Sequence, residues 1–260
     1  DHRDLHSFPT RRSSDLFIAV ESFRDPENNG DARTIILHTL RGAAVNAPLG
    51  LAISHIMGEL SGLTVEYLYD DDAVSFSMPL ADPETAESAL REALHELAVP
   101  ERLRKALVSA LTGSAILGAA FRESAGRALL LPRAGYGKRT PLWMTRMRSR
   151  RLYEKTADIS GFPVMEEAWK TVLTGRFDLP ALTGLAEGLM DGTIAMDIFR
   201  PILPSPFARQ TGWAFTNRNL YRGDENPVVR SGTAGDLAIA DALDHRSEER
   251  RVGKECRSRW

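Results

Sequence analysis

The stretch Arg33-Thr34-Ile35-Ile36-Leu37-His38-Thr39 decides the reading of the fold. Its β-branched and apolar residues read as a strand. Upstream, Phe17 to Phe23 has the same character, and Pro26-Glu27-Asn28-Asn29-Gly30-Asp31 between them is a turn by composition, so a hairpin is expected. Downstream, Val45, Leu49, Ala52, Ile53, Ile56, Met57 and Leu60 follow helical spacing, and Gly62 is placed to stop that helix. Thr64 to Tyr69 and Val74 to Pro79 form a second expected hairpin. Its turn, Asp70-Asp71-Asp72, could hold a divalent cation, although an acidic, solvated turn is the commoner meaning of such a run.

Beyond this β-rich part the chain turns helical. Asp82 is a helix cap with Pro83 at the first position, and the helix runs to about Leu97. Leu103, Leu107, Leu111, Leu117 and Phe121 fall near one face of a longer helical stretch, with Gly113 and Gly118 as breaks or close contacts and Pro132 as its limit. Trp143 to Ala157 and Pro163 to Leu173 are further helices, and Asp178-Leu179-Pro180 caps another that ends near Gly192. A strand returns near 193–199, Pro204-Ser205-Pro206-Phe207 makes a rigid turn, and Ala208 to Leu220 has helical character. The expected class is α+β: a small antiparallel sheet or barrel-like β module over residues 17–81, then a mostly helical part over 82–245.

The two ends read differently. Asp1 to Leu16 and Arg246 to Trp260 resemble translations of the two strands of one sequencing-adapter oligonucleotide, so 1–16 and 246–260 are expected to be adapter-derived. The rival reading is a Ser/Arg-rich head and a basic, nucleic-acid-binding tail. The whole chain has 260 residues, 43% hydrophobic and 26% charged, with a net charge of -2 and one Cys, which excludes collagen and disulfide scaffolds. Residues 17–245 alone carry 24 basic and 29 acidic residues and no Cys, so a thiolate metal or iron–sulfur site is excluded there. The most apolar run, Ala106 to Leu131, is broken by Ser109, Thr112, Ser114, Arg122, Glu123, Ser124 and Arg127, and falls short of a membrane-spanning helix.

Several enzyme signatures fail on spacing. Gly137-Lys138-Arg139-Thr140 has its hydroxyl one residue late for a phosphate-binding loop, and Pro132 stands where the first glycine belongs. His95-Glu96 begins like a zinc-peptidase helix, but Val99 occupies the place of the second histidine. His38, at the end of an apolar strand, reads as a satisfied core or edge histidine before a base or ligand. No catalytic residue and no metal ligand is assigned.

Charge distribution carries the positive signal. From Arg122 to Lys155 ten basic residues face only Glu123 and Glu154, a net +8, while the rest of residues 17–245 sums to -13. Such asymmetry suits a face that tracks a phosphate backbone, and eight of the ten are Arg, the better residue for phosphate forks and base stacking. The candidate nucleic-acid contacts are Arg122, Arg127, Arg133, Lys138, Arg139, Trp143, Arg146, Arg148, Arg150 and Arg151. Arg146 and Arg150 share one helical stripe and Arg148, Arg151 and Lys155 a second, with Trp143, Met144 and Met147 between them. Tyr136 or Trp143 could stack on bases. The alternative is a solvated helix whose Trp and Met face the core, the commoner fate of a helical Trp.

The same region carries a family resemblance. Phe121-Arg122-Glu123, Arg127-Ala128-Leu129-Leu130-Leu131-Pro132-Arg133 and Arg139-Thr140-Pro141-Leu142-Trp143-Met144-Thr145-Arg146-Met147-Arg148 resemble the DEAD/H-associated region of large helicase-related proteins, the Lhr family of superfamily 2 helicases. Further similar stretches follow in order: Phe162-Pro163-Val164 with Glu166 or Glu167, Phe177-Asp178-Leu179, Gly192-Thr193-Ile194, Pro204-Ser205-Pro206-Phe207-Ala208, and Leu220-Tyr221-Arg222-Gly223-Asp224 before Pro227. Upstream, His38-Thr39 with Gly42 and Asn46 resembles the opening of the region. Family members commonly have Gln where Thr145 stands and Ala where Ser149 stands.

The resemblance implies a fragment of an ATP-dependent 3′ to 5′ translocase acting on single-stranded DNA and RNA–DNA hybrids, in a cytoplasmic protein with no membrane partner. It implies that RecA-like motor domains and a winged helix, elsewhere in the parent chain, bind ATP and Mg2+. This fragment is then an accessory, strand-guiding part that hydrolyses no ATP alone and needs no cofactor. Two other roles stay open: a structural module whose arginines brace the motor domains, and a base-excision activity using Glu123, Glu166 or Glu167.

Overall fold

The computed structural model describes residues 16–24, 32–79, 81–112, 114–132 and 141–209. The elements in chain order are β1 (Phe17–Arg24), β2 (Ala32–His38), α1 (Ala43–Ser61), β3 (Glu66–Tyr69), β4 (Ala73–Pro79), α2 (Pro83–Leu97), α3 (Pro100–Leu111), α4 (Ala115–Arg127), α5 (Leu142–Thr156), α6 (Pro163–Gly175), α7 (Leu179–Asp191) and β5 (Ala195–Phe199). The class is α+β. The chain divides into two compact units, one built from the described residues up to Leu111 and from Phe177 onward, the other from Thr112–Arg176.

The first unit holds a five-stranded sheet in the order β3-β4-β2-β1-β5. Both expected hairpins are present: β1 and β2 pair antiparallel from Ala19 opposite His38 to Arg24 opposite Arg33, and β3 and β4 pair antiparallel with Tyr67 opposite Phe76. Within residues 17–81 every strand pairing is antiparallel, in an open sheet and not a barrel, and the returning strand adds a direction that the sequence reading left open. β5 joins β1 parallel, with Phe17 opposite Ala195, so the sheet is mixed and open. Composition marks a strand but not its direction beside a partner 170-odd residues away.

Helix α1 is apolar nearly all round and unbroken in burial from Val45 to Ser54. It lies close to the sheet because Gly50 has no side chain: a Cβ there would meet the Tyr67 ring at 2.7 Å. Pro48 sits inside this helix and cannot donate to the carbonyl of Ala44 four residues back. That carbonyl instead accepts from the backbone amide of Asp178 at 2.9 Å, which fixes the entry of α7. Asp178 then caps α7 by accepting from the Ala181 amide at 3.0 Å.

The Asp70-Asp71-Asp72 turn is engaged with backbone. Asp70 Oδ1 accepts from the Asp72 and Ala73 amides at 2.9 and 2.7 Å, and Asp71 Oδ1 accepts from the Ala43 amide at 2.9 Å, supplying the cap that Gly42 lacks at α1. Asn46 ties the same turn to the strand end, donating to the Asp70 carbonyl at 2.9 Å while accepting from the Thr39 hydroxyl at 2.6 Å. Among the described residues no group of three or more His, Cys, Asp and Glu could hold a metal ion. No described helix is long and apolar enough to cross a membrane.

The continuous helical face expected through Leu103 and Phe121 is broken. Leu103, Leu107 and Leu111 are buried in the first unit on α3, whereas Leu117 and Phe121 are buried in the second on α4. Ser114 starts the new helix, its hydroxyl accepting from the Leu117 amide at 3.2 Å. In the second unit α4 packs on α6, where Val164, Met165, Ala168 and Val172 are buried.

Candidate nucleic-acid interface

The candidate contacts belong to the second unit, on α4 and α5. Arg133, Lys138 and Arg139, with Tyr136, lie outside the described residues. So do the two ends, the turn at 26–31, the helical reading beyond 209 and the motif 220–224.

Helix α5 has one packed side. Ser149 and Thr156 are buried there, and Tyr153 meets the buried Phe121 of α4 edge to face, with ring centroids 5.3 Å apart. Ser149 is 3% exposed on this side, so the position takes a small side chain. With this side turned in, Trp143, Met147, Arg150 and Glu154 follow each other along the outer side at helical spacing, with Arg151 beside them.

Trp143 is 62% exposed and Met147 37% exposed. The core-facing alternative for this Trp therefore does not describe it. Arg150 and Arg151 are exposed and Arg146 and Arg148 are half-buried. Arg150 donates through Nε to Glu154 Oε1 at 3.0 Å, an exposed i,i+4 pair. Arg148 and Arg151 have no ion pair or hydrogen bond among the described residues.

Arg122 and Arg127 sit on α4. Arg127 lies between two carboxylates, Glu123 and Glu167, each 3.6 Å away, and Arg176 approaches Glu123 at 3.9 Å. Two of the carboxylates considered for base excision thus face arginines on an exposed surface rather than an enclosed pocket. The sequence reading missed this pairing, and the Arg150–Glu154 one, although the i,i+4 spacing announces both Glu123–Arg127 and Arg150–Glu154.

The exposure of Leu129 was not legible from the motif that contains it. The residue is 67% exposed with a φ of 61°, in the left-handed region, and ends α4 with the Leu130 amide donating to the Ala125 carbonyl at 3.0 Å. Leu130 is also exposed. The outer surface of the second unit thus combines guanidinium groups, an aromatic ring and uncovered aliphatic side chains.

In the first unit His38 is buried and spoken for. Glu21, fully buried on β1, accepts from His38 Nε2 at 2.9 Å, from the Ser205 hydroxyl at 2.5 Å and from the Ser205 amide at 3.1 Å. Burial pushes the Glu21 carboxyl up, but hydrogen bonds from His38 and Ser205, with the His38 charge, outweigh it and hold the group below its ordinary value. Glu87 is likewise held low, by the two-pronged hydrogen bond from Arg200, with both N–O distances 2.8 Å.

The chain belongs to the DEAD/H-associated family, whose model matches residues 13–208. Within it the chain is an Lhr-type helicase region. It is 32% identical over 88% of its length to the Lhr helicase/probable uracil glycosylase of Mycolicibacterium smegmatis, and 34% identical over 80% to the Lhr helicase/uracil glycosylase of Escherichia coli. It spans only 15% and 13% of those two relatives. A solved structure of Mycobacterium smegmatis helicase Lhr bound to ssDNA and AMP-PNP matches 78% of this chain and 25% of its own, with 29% identity and a TM-score of 0.61.

Proposed function

We propose that this region is the strand-guiding accessory module of an ATP-dependent 3′ to 5′ helicase. The outer side of α5 is its nucleic-acid contact. The observation that carries this reading is the exposed row Trp143, Met147, Arg150 and Arg151. A Trp uncovered on a helix rich in arginine has the chemistry of a stacking platform beside phosphate-binding forks. Likeness to a helicase solved with single-stranded DNA supports the same partner here.

The motor belongs to the remainder of the parent protein, as RecA-like and winged-helix domains that bind ATP and Mg2+. Single-stranded DNA or the strand of an RNA–DNA hybrid passes over this module, in a cytoplasmic setting. Arg148 and Arg151 take phosphates first, since among the described residues neither has a carboxylate to displace. Arg127, held between Glu123 and Glu167, contributes less.

The test is titration of labelled single-stranded DNA with the chain at several salt concentrations. Neutralising Z phosphates gives a slope of about -0.7Z in log K against log salt. The R146E/R148E/R150E/R151E variant is expected to abolish binding. A salt-independent constant, or unchanged affinity in that variant, rejects the reading.

A second reading has its own observation. Leu129, Leu130, Leu142, Trp143 and Met147 together leave much apolar surface uncovered. A module that only braces the motor domains would use that surface for protein contact, binding the recombinant motor portion and not DNA.

A further inference from the structure

A different surface, in the first unit, has the makings of a peptide site. β5 ends the sheet, bonded to β1 on one side and to no strand on the other among the described residues. The Ala195 amide donates inward to the Leu16 carbonyl at 2.9 Å. Since backbone groups alternate along a strand, the N–H and C=O groups of Met196 and Ile198 point to the open edge. An open edge of this kind is a template for one more strand.

Beside the first residues of β5 runs a groove of about 440 Å3, walled by α2 and the end of α7 and lined among others by Arg91, Leu94, His95, Leu189, Ile194 and Met196. Its floor is firmly built. Ile194 is buried against Gly188, where an added Cβ would stand 2.7 Å from the Ile194 side chain. The rim is basic: Arg91 and His95 are one helical turn apart on α2, both exposed, and neither side chain has a hydrogen bond or ion pair among the described residues. Among the carboxylates of α2, α7 and β5, Asp191 is engaged by the amide and hydroxyl of Thr193, Glu96 by Arg102 at 2.8 Å, Asp197 alternates to the face of β5 away from Met196, and Glu92 and Glu187 are exposed.

We infer that β5 and this groove receive an extended polypeptide segment, aliphatic where it meets Leu94, Leu189 and Met196 and acidic where it meets Arg91 and His95. The strand edge supplies main-chain hydrogen bonds, the groove takes alternate side chains, and the basic side chains of Arg91 and His95 set the charge preference. Nucleic acid fits poorly, because an apolar groove with one arginine and one histidine at its rim offers no track for repeated phosphates. A second copy of the chain is the remaining rival, and the test separates it.

The probes are two blocked ten-residue peptides, one alternating Asp and Val, the other Lys and Val, each titrated into the full chain while amide exchange is followed at residues 195–199. The Asp/Val peptide is expected to bind and to slow exchange at Met196 and Ile198, with the Lys/Val peptide at least about tenfold weaker. R91E/H95E, both surface positions, should reverse that preference. M196P removes an outward N–H and should weaken the Asp/Val peptide; if it fails to fold, the charge reversal decides alone. Absence of binding, equal binding of both peptides, a preference unmoved by R91E/H95E, or protection of β5 that depends only on protein concentration would overturn the proposal.

Discussion

Phe121 and Tyr153 meet edge to face at 5.3 Å with their planes at 89°, and this contact sets which side of α5 faces outward. Phe121 is fully buried, so Phe121→Ala is expected to cost about 3–5 kcal/mol and unfold the second unit. Tyr153→Leu keeps apolar bulk and forfeits the ring pair, worth about 0.5–1.5 kcal/mol. Urea denaturation followed by far-UV circular dichroism measures both, and equal losses would mean the ring pair does not orient the helix.

Trp143→Ala separates function from stability. At 62% exposure the ring supports little of the core, so stability should change by no more than about 0.5 kcal/mol. Affinity for single-stranded DNA should fall by about 1–3 kcal/mol, the worth of one base stack. A large drop in melting temperature would assign Trp143 to packing.

Glu154 restrains Arg150 through the 3.0 Å pair, and a phosphate must compete with it. Glu154→Gln removes a repelling charge and frees the guanidinium at a cost of about 0.3–0.5 kcal/mol in helix stability. DNA affinity should rise by roughly twofold or more, with a steeper salt dependence. Weaker binding would show that the pair orients Arg150 for its contact.

The buried Glu21 gives the first unit an acid limit. Its carboxyl titrates lower folded than unfolded, so the stabilisation is complete above the unfolded value of about 4.3 and is lost as pH falls through the folded one. Glu21→Gln should flatten that part of the stability profile. Glu21→Ala, which leaves the His38 and Ser205 donors without their acceptor, is expected to cost about 1–3 kcal/mol. Denaturation midpoints across the acid range test the sign.

Leu129 holds a left-handed conformation that costs an L-residue roughly 1–2 kcal/mol. Leu129→Gly should therefore raise the thermal midpoint of the second unit, because the side chain is exposed and little packing is lost. If DNA binding weakens at the same time, the strained Leu is part of the contact surface.

Much of this fold was readable because local signals agreed with tertiary ones. The Arg33–Thr39 run is β-branched where the sheet needs it, and Asp82 and Asp178 stand where their helices begin. What escaped depended on distant partners. Nothing local in Ala195–Phe199 says that it lies parallel to β1, and the shared apolar spacing of Leu111 and Leu117 hides their assignment to separate units. For the candidate interface, the arginines were legible as a charge cluster. The facing of α5 was not, because Leu142, Trp143, Met144, Met147, Leu152 and Tyr153 spread around the helix and mark no single side as apolar.

The parallel pairing of β1 with β5 also has a consequence for synthesis. β1 leaves the ribosome before the rest of the sheet, and its outer neighbour emerges about 175 residues later, after the whole of Thr112–Arg176. At about 5–20 residues per second, that edge of β1 waits roughly 9–35 s for its partner. The helical segment finds its own packing partners within Thr112–Arg176, α4 against α5 and α6, and can finish folding in that interval. A nascent chain stalled before Ala195 should therefore expose a sticky apolar strand, and chaperone demand should drop sharply once β5 has cleared the exit tunnel.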